Sequence, residues 1–262
     1  MTGQWQASRH ELRKGWLPLV TATVGSGTGA AALLLYTLGV FVAPLQAEFG
    51  WSRGQITSAI LYCSAGLMTA GPVLGWLLDR IGERRVALGS IPLFAITIWA
   101  LGHNDGALLF FYACFFLASS LGAGTTPILY TRVVAARFDH ARGLALGITL
   151  AGPGAAAMLL PAFIGGVIAL GGWRHAYTVL AAIALCAWPL AWFGLKASDR
   201  SRQASETELH GVAPKVALRS RVYWTVTLCF MAASAAAGAI VVHLVPMLRD
   251  AGVAATKVAS IA

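Results

Sequence analysis

Seven stretches without a single Asp, Glu, Lys or Arg dominate the chain, at residues 15–47, 54–78, 86–104, 106–131, 143–173, 175–195 and 222–248. A helix crossing the hydrocarbon core of a bilayer needs about 20 mainly apolar residues, and each window supplies that length. In hydrocarbon every backbone N–H and C=O must be paired within its own segment, so windows of this length are read as helices. Composition agrees, since 58% of the 262 residues are hydrophobic and 11% charged, where a soluble domain carries about a quarter charged residues. The expected fold class is an all-α integral membrane protein. Its seven spans fall at about 16–45, 54–78, 86–102, 107–131, 143–169, 175–195 and 222–246.

A net charge of +9 invites a nucleic-acid reading, and the positions of the basic residues decide against it. With the amino terminus inside, fifteen of the nineteen Lys and Arg residues fall on inner segments. Only Arg53, Arg174, Arg249 and Lys257 fall outside. That bias follows the positive-inside rule and is topological information. The bilayer is the expected partner and nucleic acid is not. The expected location is the cell's inner (plasma) membrane, multi-pass, with a cytoplasmic amino terminus. Trp16, Trp51, Trp99, Trp173, Trp192 and Trp224 lie near predicted membrane–water interfaces, where such rings prefer to sit. Cys63, Cys114, Cys186 and Cys229 stand singly in four windows without metal-ligand spacing, so neither metal nor cofactor is expected.

Residues 1–15 read as a short cytoplasmic tail and 16–195 as a six-span bundle. Residues 196–221 are the longest polar stretch and read as a cytoplasmic linker. Residues 222–262 then read as span seven and the start of span eight. Six spans, a basic linker and further spans is the layout of two helical halves joined inside the cell. An end at Ile261-Ala262, within an apolar segment, is expected of a truncated product whose missing carboxy-terminal half is needed for function.

The turn between spans two and three reads Gly75-Trp-Leu-Leu-Asp79-Arg80-Ile-Gly82-Glu-Arg84-Arg85. It closely resembles the signature loop of the major facilitator superfamily, G-x-x-x-D-R-x-G-x-R-R, in the position where that family carries it. Gly75 would let span two approach a neighbour closely. Gly82 would take a backbone conformation that strains other residues. The resemblance implies that Asp79 engages the amino-terminal end of a helix in the other half, where the dipole favours an anion. It also implies that Asp79 pairs with nearby arginines, latching the inner gate.

Three further patches look like the oxalate/formate antiporter and monocarboxylate porter branch. They are the run Leu38 to Arg53, the run Arg142-Gly-Leu-Ala-Leu-Gly147 with Ala151-Gly152, and Gly172-Trp-Arg174. His243-Leu-Val-Pro246 with Asp250 and Gly252 resembles the close of span seven there. The resemblance implies a small carboxylate substrate. Span one lacks the buried lysine of animal monocarboxylate porters, and Tyr36 lies near that place.

Other residues carry two readings each. Arg132 would attract an anion at the inner vestibule, or snorkel to the inner surface, which is the plainer reading. His243 would carry a coupling proton, or sit neutral and hydrogen-bonded. Tyr36, Tyr62 and Tyr130 would line the pathway, though aromatic packing is the commoner fate. Gly147, Gly152, Pro153 and Gly154 faintly resemble an antiporter motif, and close helix packing explains them as well. Gly25-Ser-Gly27-Thr-Gly29 imitates a nucleotide loop, but inside an apolar span it reads as helix packing or a cavity lining.

The function expected is secondary transport of a small organic anion by alternating access, coupled to protons or a counter-anion. No paired catalytic groups are present, so an enzyme is not expected. A drug exporter of the same superfamily is the alternative within transport. A seven-span receptor or sensor is the alternative from another class.

Overall fold

The computed structural model describes residues 2–195, 216, 218–233 and 236. The chain divides into two units, Met1–Thr207 and Glu208–Ala262. Of the second, residues 221–233 are helical. Most of the predicted linker, His243 and the start of span eight lie outside the described residues.

The described residues of the first unit are mostly helical, and the order of the helices is set by where charge and glycine interrupt apolar sequence. Helix α1 (Thr2–Lys14) is polar and precedes the first span. Span one is three helices in series, α2 (Trp16–Gly27), α3 (Ala30–Leu35) and α4 (Leu38–Phe49). Gly50, at φ 67°, closes α4 in the left-handed conformation that suits glycine after a helix end. The short helix α5 (Arg53–Thr57) opens with a capping box. The Ser52 hydroxyl accepts from the Gln55 N–H at 3.2 Å, and the Gln55 side chain accepts from the Ser52 N–H at 2.8 Å. Span two follows as α6 (Ala59–Ile81) and span three as α7 (Glu83–Leu101). Span four is α8 (Leu108–Leu121), a 3₁₀ turn (Gly122–Thr125) and α9 (Pro127–Arg137), with proline at the first helical position.

The last helical run, α10 (Arg142–Gly194), is 53 residues long. Straight, it would extend roughly 80 Å, against a hydrocarbon core of about 30 Å. Gly172 resolves the conflict. At φ 79° and ψ 169° it breaks the run into spans five and six. Five long apolar segments therefore make six spans among the described residues.

Small residues decide how closely the spans approach. A Cβ on Gly25 would meet the Tyr130 ring, one on Gly27 would lie 2.9 Å from the Gly152 carbonyl oxygen, and one on Gly29 only 2.0 Å from that of Thr125. The glycine run of span one thus faces spans four and five, as backbone-to-backbone packing in lipid requires. Hydroxyls of span one add to this packing: Ser26 donates to the Thr149 carbonyl of span five at 2.9 Å, and Thr21 to the Leu190 carbonyl of span six at 3.2 Å. Two buried clusters result. One contains Leu78, Val86, Tyr130, Val133 and Phe138, at the end carrying the loop motif. The other contains Phe41, Trp51, Phe111, Trp173 and Tyr177, at the far end.

The breaks in span one, at Thr28–Gly29 and Tyr36–Thr37, have no counterpart in the predicted continuous helix. At the first break the Ala30 N–H finds its acceptor in the Thr125 hydroxyl, 3.0 Å away, where span four itself becomes a 3₁₀ turn. Two interrupted spans therefore cross at their interruptions, which pairs a backbone group that a broken helix would otherwise leave bare.

Candidate functional site

The loop motif is the connection between α6 and α7, and it is one residue long. Gly82 is both the cap of α6, its N–H bonded to the Leu78 carbonyl at 3.2 Å, and the residue before α7. Its φ of 85° lies where a side chain is strained. Asp79 is thereby held at the carboxyl end of one helix and Glu83 at the first residue of the next. A carboxylate is disfavoured by the dipole at the first place and favoured at the second.

Arg132, from α9, joins them. Its Nη2 donates to Asp79 Oδ1 at 2.7 Å, and its Nε lies 3.0 Å from Glu83 Oε1. The three side chains differ in exposure: 70% for Asp79, 44% for Arg132 and 8% for Glu83. Two of the other three motif cations lie against rings. Arg80 stands over Trp76 at 5.2 Å, and Arg84 over Trp192 of span six at 4.8 Å, while Arg85 is exposed. An exposed guanidinium–ring contact is worth about 0.5–1 kcal/mol.

Of the residues singled out in the sequence, Arg132 is paired with two carboxylates rather than standing alone. A Cβ on Gly75 would meet nothing within 4 Å among the described residues, and the same is true of Gly147 and Gly154. Those three glycines do not serve close packing among the described residues. Gly152 does approach span one, since a Cβ there would lie 2.1 Å from the Thr23 carbonyl oxygen. Pro153 is half-buried beside it. Tyr130 is fully buried against Gly25, and its hydroxyl has no hydrogen-bond partner among the described residues. Tyr36 lies at the second break of span one, half-exposed. Tyr62 stacks on Tyr112 with centroids 4.3 Å apart. No ring contact or hydrogen bond joins any two of Tyr36, Tyr62 and Tyr130. His243 lies outside the described residues.

Two polar clusters escaped sequence reasoning. At the far end, Glu48 accepts from the Trp173 indole Nε1 and from Arg174 Nη1. Arg174 also donates to the Asn104 carbonyl at 3.3 Å and lies over the Trp173 ring at 4.3 Å. Asn104 is buried and organises its own turn, its Oδ1 accepting from the N–H groups of Gly106 and Ala107. The ends of spans one and three and the turn between five and six are thus tied together. At the motif end, Glu11 of α1 accepts from the N–H groups of Ala141 and His140 at 3.0 and 3.4 Å, capping span five. Burial pushes the Glu11 carboxyl up, but these hydrogen bonds and the one from the His140 ring outweigh it and hold its pKa below the ordinary value.

Six apolar spans, two of them broken where they cross, and an ion triad at a one-residue charged turn describe a polytopic membrane protein. The family model of the Major Facilitator Superfamily matches residues 24–262, and the chain belongs to that superfamily of multi-pass membrane transporters. Among similar proteins, human "Monocarboxylate transporter 14" is 27% identical over 149 residues, covering 56% of this chain and 29% of the relative. "Probable anion transporter 3, chloroplastic" of Arabidopsis thaliana is 32% identical over 122 residues, 44% of this chain and 23% of the relative. "Probable sulfoacetate transporter SauU" of Cupriavidus necator is 27% identical over 180 residues, 65% of this chain and 40% of the relative. The chain therefore spans less than half the length of each of these relatives. The receptor alternative falls with the family match.

Proposed function

We propose that the chain is the amino-terminal part of a secondary transporter of small organic anions working by alternating access. The observation that carries the reading is the Asp79–Arg132–Glu83 triad at a one-residue turn of the family's signature loop. The relatives named for monocarboxylate, anion and sulfoacetate transport support an anionic substrate. In this reading the loop motif lies on the cytoplasmic face of the inner membrane. Asp79 is the latch, passing between Arg132 and the amino-terminal end of a helix in the second half as the gate opens and closes. Residues 1–15, 16–195, 196–221 and 222–262 are tail, first bundle, linker and start of the second bundle. Coupling is to protons or a counter-anion, and His243 is the candidate proton carrier.

The test is uptake into proteoliposomes by the protein expressed from its complete gene, with radiolabelled lactate, oxalate and sulfoacetate as probes. Uptake of at least one, lost in Asp79→Asn at unchanged membrane insertion, is the expected result. Uptake of none, with a cationic dye expelled instead, replaces the anion reading with that of a drug exporter. Normal uptake by Asp79→Asn removes the latch.

A further inference from the structure

Glu83 occupies a variable position of the loop motif, so the pattern G-x-x-x-D-R-x-G-x-R-R gives it no role. The geometry does. The Nε and Nη2 hydrogens of an arginine lie along one edge of a rigid plane, so fixing one aims the other. Here that edge is divided between two carboxylates, Glu83 on Nε and Asp79 on Nη2. The partners are unequal. Glu83 is buried, backed by the amino-terminal end of α7. Asp79 is largely exposed, at the carboxyl end of α6 where the dipole works against it. Screening by water weakens an exposed pair far more than a buried one. The firm hold on Arg132 is therefore from Glu83, and the loose one is from Asp79.

We propose that Glu83 is a positioning residue of the loop: it anchors Arg132 by Nε so that Nη2 stays on Asp79. Gly82 is what makes this possible, because a one-residue turn at positive φ sets the last turn of α6 beside the first residue of α7. Without the Glu83 charge, the long Arg132 side chain keeps only its exposed partner, and Asp79 loses a fixed counter-ion. The consequence for transport rests on the latch reading above. The positioning itself does not.

A double-mutant cycle on the 262-residue chain, unfolded by detergent titration in bicelles, tests the positioning without any substrate. Asp79→Asn and Arg132→Gln are expected to couple several-fold in the unfolding equilibrium constant. Repeated in a Glu83→Gln background, the coupling is expected to fall within twofold of none. A role confined to the α7 dipole would leave it unchanged, and that result overturns the proposal. Glu83→Asp, which keeps the charge but shortens the reach, covers poor folding of Glu83→Gln and is also expected to lose the coupling. In the uptake assay the two ideas separate. Uptake lost in Asp79→Asn, with coupling indifferent to Glu83, sinks the positioning role and leaves the latch. Normal uptake by Asp79→Asn, with coupling dependent on Glu83, sinks the latch and leaves the positioning role.

Discussion

The two ends of the first bundle each carry an arginine between helices, and the two arginines are held differently. At the far end Glu48 spends both oxygens inside the bundle, on Trp173 and Arg174, and Arg174 also reaches the Asn104 carbonyl and lies over the Trp173 ring. Glu48 and Arg174 are themselves 38% and 46% exposed, but the partners named for them all lie within the first bundle. At the motif end Arg132 binds a buried carboxylate and one that is 70% exposed, the most exposed member of either cluster.

Arg174→Ala breaks the comparison most directly. It leaves Glu48 without its ion pair and removes the link to Asn104 and the stacking on Trp173. A hydrogen bond to a charged group is worth about 1.5–3 kcal/mol. With Arg174 half-exposed, a loss of about 1–3 kcal/mol in unfolding free energy is expected. A loss too small to measure by detergent titration means the far end is no clamp. Next in size is Gly82→Ala. Forcing a side chain into positive φ costs about 1–2 kcal/mol, and the expected melting temperature is lower with the helical circular dichroism unchanged. An unaltered melting curve would show that the turn tolerates another conformation.

Asp79→Asn sharpens the comparison from the other side. Its pair with Arg132 is exposed and worth about 0–1 kcal/mol, and Arg132 keeps its buried partner Glu83, so stability is expected to drop by less than at the far end. Anion uptake by the complete protein is nevertheless expected to disappear. If Asp79→Asn costs more stability than Arg174→Ala, the assignment of a structural end and a working end is reversed.

How much of this was legible depended on whether the cause is local in the chain. Charge is excluded from hydrocarbon, so six windows foretold the spans now described, and the glycine pair before Trp173 marked the turn between five and six. The breaks at Thr28–Gly29 and Tyr36–Thr37 were hidden, because apolarity is the same on either side of a break and their cause is span four crossing there. The far-end cluster joins residues more than a hundred positions apart. Its one signal was that Glu48 and Arg174 both end windows on the same predicted face. Glu83 was hidden by the motif itself, whose variable position draws the eye away from the residue filling it.

The smallest effect belongs to Glu11, which ties α1 to the start of span five and asks whether the motif end reaches into the tail. A carboxylate at a helix amino terminus contributes about 0.3–1 kcal/mol. The titratable and charged groups around it are the His140 ring, 3.3 Å away, and the Asp139–Arg142 pair of the same loop, closed at 2.9 Å. Because the folded pKa of Glu11 is depressed, its contribution is present above the unfolded value of about 4.3. It is lost as pH falls through the folded value. Glu11→Gln is therefore expected to melt slightly below the unaltered chain at pH 7. The gap is expected to narrow as pH falls below the unfolded value and to close once pH is below the depressed folded value, where both states of the unaltered chain bind the proton. A gap that persists in acid would mean that Glu11 acts by packing, and that the tail is fastened to the bundle by Gly15 against Phe138 rather than by charge.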